Sequence, residues 1–168
     1  MRCTWSASCR SGVGWKEEPM TAIERITAKG QLIKLAFAQS DVAASQTAVA
    51  MNVIEVRDTA AAADDVLAVP GYVIPFDFEI VGISILASTA RTAGSVVVDA
   101  TIDGTVSGLQ ATLDATNTTS HYLTQPRDSD RGLAGSYVGV KLTTVAGWTP
   151  VTADVGVAVW IIAYLDGI

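Results

Sequence analysis

A chain of 168 residues fits one domain with an appended segment. Its composition, 49% apolar, only 17% charged and rich in Ala, Val, Thr and Gly, suits sheets packed on sheets around a real core. The net charge of −6 and the scattered basic residues argue against nucleic acid as a partner. No apolar run approaches the roughly 18 residues of a membrane-spanning helix, so no membrane partner is expected.

Residues 1–19 differ from everything after them, holding both cysteines, Cys3 and Cys9, and two of the four tryptophans. The Cys-x5-Cys spacing matches no common zinc pattern, and no second pair exists. Lys16-Glu17-Glu18-Pro19-Met20 can be encoded as AAG GAG GAG CCN ATG, a purine-rich ribosome-binding sequence ahead of a start codon. The expectation is that residues 1–19 are a translated, disordered leader and that Met20 is the native start.

Residues 20–48 carry Ile23, Ile26, Leu32, Ile33, Leu35 and Phe37 at a spacing neither cleanly helical nor cleanly alternating, with Gly30 interrupting. The segment reads either as a short helix under the domain or as an arm that orders on a neighbouring subunit. Alternation begins at Val49, with Val49, Met51 and Val53 on one face, and opens a β-domain over residues 49–168. Residues 69–72 read as a turn, and Val81, Ile83 and Ile85 face one way along the next strand.

The strongest local signal is the pair of β-branched runs around Asp103-Gly104, which predicts a hairpin closed by a type I′ turn. Val96, Val98, Ala100 and Ile102 share its buried face. Residues 121–123 read as a short strand, and the polar residues 125–135 as an exposed loop. In the last strand Val155, Val157, Val159 and Ile161 line one face while Trp160, Ile162 and Tyr164 line the other. A strand apolar on both sides is either central between packed layers or at a subunit interface. Fold class is therefore all-β, a single β-sandwich of jelly-roll type with an N-terminal arm.

Candidates for chemistry are few. His121 is the single histidine, which leaves no His cluster for a metal, and no Gly-x-Ser-x-Gly elbow supports a Ser120-His121-Asp arrangement. Asp128-Ser129-Asp130 lacks the remaining calcium-loop ligands, and Arg127 and Arg131 flank it, so it reads as a self-neutralising loop. No catalytic residue, cofactor or metal site is expected. Tyr122, Trp148 and residues 125–135 offer an alternative, a carbohydrate- or receptor-binding surface of the kind a fibre domain presents, and a sandwich-fold hydrolase would require His121.

Several phrases between Val73 and Ile161 resemble tailed-bacteriophage virion proteins. They are Pro75-Phe76-Asp77, Ala90-Arg91-Thr92-Ala93-Gly94, Asp103-Gly104-Thr105, Leu113-Asp114-Ala115-Thr116-Asn117-Thr118 and Gly147-Trp148-Thr149-Pro150. The closest type is the head decoration, or cement, protein. That resemblance implies a non-enzymatic β-sandwich, often a homotrimer, made in the bacterial host cytoplasm and bound outside the capsid to the major capsid protein. An arm with Ile23, Ile26, Leu32, Ile33, Leu35 and Phe37 would contact the capsid, and Trp160, Ile162 and Tyr164 would pack the subunit interface.

Overall fold

The computed structural model describes residues 30–53 and 69–165. They form two antiparallel sheets. Strands β1 (Gln31–Gln39), β2 (Val49–Ala50), β3 (Asn52–Val53), β4 (Gly71–Val73) and β5 (Phe78–Ala87) come first. They are followed by β6 (Val96–Ile102), β7 (Thr105–Leu113), β8 (Ser120–Thr124), β9 (Asp130–Gly132), β10 (Tyr137–Thr144) and β11 (Val155–Ala163). Sheet A runs β3-β1-β11-β5-β8 with β9 also on β5; sheet B runs β2-β10-β6-β7 with β4 also on β10.

The order is that of a jelly roll. The first strand pairs with the last (β1 with β11), the next segments β2 and β4 pair with β10, β5 pairs with β8, and β6 pairs with β7. The chain thus behaves as one long folded-back hairpin rolled into two layers. Between the layers lie Phe37, Ile80, Ile83, Ile85, Val96, Val98, Leu113, Val140, Leu142, Val157, Val159 and Ile161, all buried. Each large side chain so placed contributes roughly 1.5 to 3 kcal/mol. Phe37 of sheet A meets Tyr72 of sheet B edge to face at 5.5 Å, and the Tyr72 hydroxyl donates to Ala36 O at 3.2 Å.

The expected hairpin forms, with Asp103 at φ 50° and Gly104 at φ 77°. Its tip is tied down, because Asp103 Oδ1 accepts from Tyr137 N at 2.9 Å and Lys141 Nζ donates to Gly104 O at 2.6 Å. The last strand lies at the centre of sheet A, between β1 and β5, with Val155, Val157, Val159 and Ile161 inward.

Four expectations are corrected. First, residues 31–39 are not an arm: Gln31–Gln39 is β1, hydrogen-bonded along its whole length to β11, with Leu35 and Phe37 in the core and Ile33 packed against it. The pairing joins segments more than a hundred residues apart, so local spacing did not reveal it. Ile23 and Ile26, like residues 1–19, lie outside the described residues. Second, Val49, Met51 and Val53 do not share one face. The chain changes sheets at Met51, whose buried side chain fills the crossing while its N–H donates to Val140 O at 2.9 Å, and Val49 is left exposed. Third, residues 71–73 are a strand on β10 and not part of a turn. Fourth, Val81 leaves the inward face. Trp160 pairs with Gly82 but Ile161 pairs with Ile80, so Val81 is the extra residue of a bulge. That shift in phase turns Ile80 and Phe78 inward and Glu79 outward.

Candidate interaction face

The outward face of sheet A is built from four adjacent strands in register. One row across it is Lys34, Trp160, Gly82 and Thr124; the next is Ala36, Ala158, Ser84 and Tyr122; a third is Ala38, Gly156, Leu86 and Ser120. Leu32 and Ile162 begin a fourth row. Small side chains in the middle rows leave a shallow groove of about 550 Å³, with Ala36, Ser84, Gly156 and Ala158 as its floor and Leu86, Tyr122 and Lys34 around it. Leu32 is 58% exposed and Leu86 59%, while Trp160 and Ile162 are half-buried among their neighbours. The face is mixed, with Leu32, Trp160, Ile162, Leu86 and Tyr122 set among small side chains and beside Lys34, Ser84, Ser120 and Thr124.

Of the expected interface residues, Trp160 and Ile162 therefore lie together on this face, and Tyr164 does not join them as a free contact. It belongs to a polar cluster at one end of the sheet. Glu79, turned outward by the bulge, is fully buried because the turn after β8 folds over it. Its Oε1 accepts from Arg127 Nε at 2.6 Å and its Oε2 from Asp128 N at 2.7 Å. Arg127 Nη2 donates to the Tyr164 hydroxyl at 2.9 Å, and the guanidinium groups of Arg127 and Arg131 lie 5.6 and 5.7 Å from the Tyr164 ring centre. Burial alone would raise the pKa of Glu79. The Asp128 N–H, Arg127 and the Tyr164 hydroxyl outweigh it and hold the carboxyl below its ordinary value. The cluster fastens loop, sheet and C-terminal segment to one another. Sequence reading missed Glu79, whose only signal is an acidic residue inside an apolar strand.

The residues weighed for chemistry are engaged structurally. His121 Nδ1 accepts from Thr112 N at 3.0 Å, stitching β8 to β7. Asp128 pairs with Arg131, and Asp130 Oδ2 accepts from Gln125 Nε2 at 2.6 Å. No group of three or more metal-ligating side chains occurs among the described residues. Trp148 is 1% exposed, with Nε1 donating to Val42 O at 2.9 Å, so its ring cannot serve the carbohydrate surface considered above. Two of the phrases that carried the family resemblance meet in space: Ala93 bridges Thr149, and the Thr92 and Thr149 hydroxyls lie 2.8 Å apart.

No family model matches the chain, and no curated protein sequence matches it. Among solved structures it is similar to a chain of the "Cyanophage Pam1 capsid asymmetric unit", with 13% identity and a TM-score of 0.45, over 97% of this chain and 99% of that one.

Proposed function

We propose that this chain is a structural protein of a tailed-bacteriophage head, a decoration protein that binds the outside of the capsid and holds neighbouring major capsid subunits together. The observation that carries the reading is the outward face of sheet A, where Leu32, Trp160, Ile162 and Leu86 stand exposed or half-buried among small side chains of adjacent strands. Jelly rolls serve viral capsid domains, lectins and cupins alike, so the fold does not choose among them. The phrases from Pro75 to Pro150 favour the virion. In this reading the protein acts by binding, and His121, Asp128 and Asp130 serve the structural contacts in which they are found.

In this reading the chain is made in the host cytoplasm and assembles as a homotrimer, with Trp160 and Ile162 packing one copy against the next. Ile23 and Ile26, ahead of β1, reach the major capsid protein. Covering Leu32 and Leu86 contributes on the order of 1 kcal/mol each. Repetition around a trimer multiplies such modest contacts through effective concentration.

The test is cosedimentation of the full chain with undecorated heads of the phage that encodes it. Saturable binding that raises the temperature at which heads rupture is the expected result. A folded protein that leaves heads unbound overturns the reading, and glycan binding in its place would support the fibre alternative through Tyr122.

A further inference from the structure

Strand β8 ends sheet A, and hydrogen-bond parity decides which of its backbone groups β5 uses. Ala87 N donates to Thr119 O at 2.8 Å and Gln125 N donates to Val81 O at 3.1 Å, with unbroken register between. Bonded and non-bonded pairs alternate in an antiparallel ladder. His121 and Leu123 therefore exchange hydrogen bonds with Ile85 and Ile83. The N–H and C=O groups of Ser120, Tyr122 and Thr124 point off the edge, and no hydrogen bond among the described residues takes them.

Natural edges of this kind carry a defence, such as Lys, Pro, a bulge or a covering element. β8 reads Ser-His-Tyr-Leu-Thr, without charge, proline or bulge. Tyr122 is 73% exposed, and Leu123 is 44% exposed although it lies on the core side. The other long edge differs, because Thr112 N on β7 is taken by His121.

We propose that β8 pairs antiparallel with β8 of a second copy, across a two-fold axis passing between the two Tyr122 residues. The free groups sit at 120, 122 and 124, symmetric about 122, so this register sets Tyr122 against Tyr122 and Ser120 against Thr124. Every outward N–H and C=O of the strand then finds a partner; a register shifted by one residue at its centre engages only two of the three positions. The edge itself is compatible with a second copy, because β8 carries no charged side chain and the pairing sets no like charges against each other; the net charge of −6 on each copy opposes association elsewhere on the surface and keeps it weak. The axis stands perpendicular to the sheet, which makes sheet A continuous across both copies with their apolar outward faces on the same side. A five-residue edge buries less than the roughly 1,000 Å² of a stable interface, so the pairing in free solution is weak and concentration-dependent. It does not rest on the capsid reading.

Opposed residues in a bonded pair have Cα atoms about 5.5 Å apart, within the range a disulfide spans. The experiment uses the full chain with Cys3→Ser and Cys9→Ser, oxidised at high protein concentration. Tyr122→Cys is expected to give at least about ten times more disulfide dimer than Val106→Cys, an exposed position on β7. In sedimentation velocity, Tyr122→Pro is expected to abolish the association, and Tyr122→Ala, which keeps the N–H, to retain it in part. Proline there leaves the bonds to β5 intact, because the Tyr122 N–H takes no part in them. Equal cross-linking at 122 and 106, or wild-type association by a folded Tyr122→Pro chain, overturns the proposal. If Tyr122→Pro does not fold, the cross-linking comparison decides.

Discussion

Replacing Glu79 by Gln isolates the cluster that fastens the β8–β9 turn to sheet A. The side chain is 0% exposed and both its oxygens accept, one from Arg127 Nε and one from Asp128 N. An amide of the same shape presents one oxygen and one NH₂ group. Whichever way it turns, one N–H donor faces another, and one buried hydrogen bond becomes an opposition. Leaving a buried donor unsatisfied costs about 1 to 3 kcal/mol, and bonds to a charged acceptor are the stronger kind. Because Arg127 is 44% exposed, water compensates it, and the Asp128 N–H side dominates the loss. We expect Glu79→Gln to lower stability at pH 7 by about 2 kcal/mol, or roughly 4 to 8 °C in melting temperature for a domain of this size. The sign of the pH dependence follows from the lowered pKa of Glu79. The stabilisation is complete above the ordinary glutamate value near 4.5 and is lost as pH falls through the lower folded-state value. Calorimetric melts of both proteins between pH 7 and pH 3 should therefore converge at the acid end. Equal melting temperatures at pH 7, or a gap that widens on acidification, would refute the reasoning.

Three further outcomes are expected. Trp148→Phe should cost about 2 to 3 kcal/mol in urea denaturation, since it removes a buried ring and orphans the buried Val42 carbonyl. Gly94→Ala and Gly108→Ala should differ sharply although both positions have positive φ. A Cβ on Gly94 would lie 2.5 Å from the Trp148 backbone, whereas Gly108 opens on empty space and its substitution costs only about 1 kcal/mol of backbone strain. Their melting temperatures give the comparison. His121→Ala should lower stability by about 1 kcal/mol through loss of the Thr112 N–H contact, and should change no hydrolytic activity.

What could be read from the sequence was local. Asp103-Gly104 announces its turn, and both residues sit at positive φ in the fold. The two-sided apolar pattern of β11 identified a strand that the fold places at the centre of sheet A, with Trp160 and Ile162 outward. What depended on distant partners was hidden. Ile33, Leu35 and Phe37 alternate as a strand should, but Leu32, Ala36 and Ala38 on the other face blurred the contrast and their partner β11 lies at the other end of the chain. Val81 misled because a bulge adds one residue to β5 without any mark such as glycine at that position. The groove on sheet A was likewise invisible, because Ala36, Ser84, Gly156 and Ala158 come from three separate strands and none is individually notable. Trp148 was ambiguous for a related reason, since its acceptor, Val42 O, is remote in sequence.

The central claim is that this chain coats a phage head with the outward face of sheet A covered by neighbouring protein. The most direct measurement is a cryo-electron microscopy reconstruction of purified virions of the encoding phage, with the sandwich fitted to density. The account predicts copies on the outside of the head shell, with Leu32, Trp160 and Ile162 covered by neighbouring protein. Copies found only in the tail, or on the head with that face open to solvent, would contradict it.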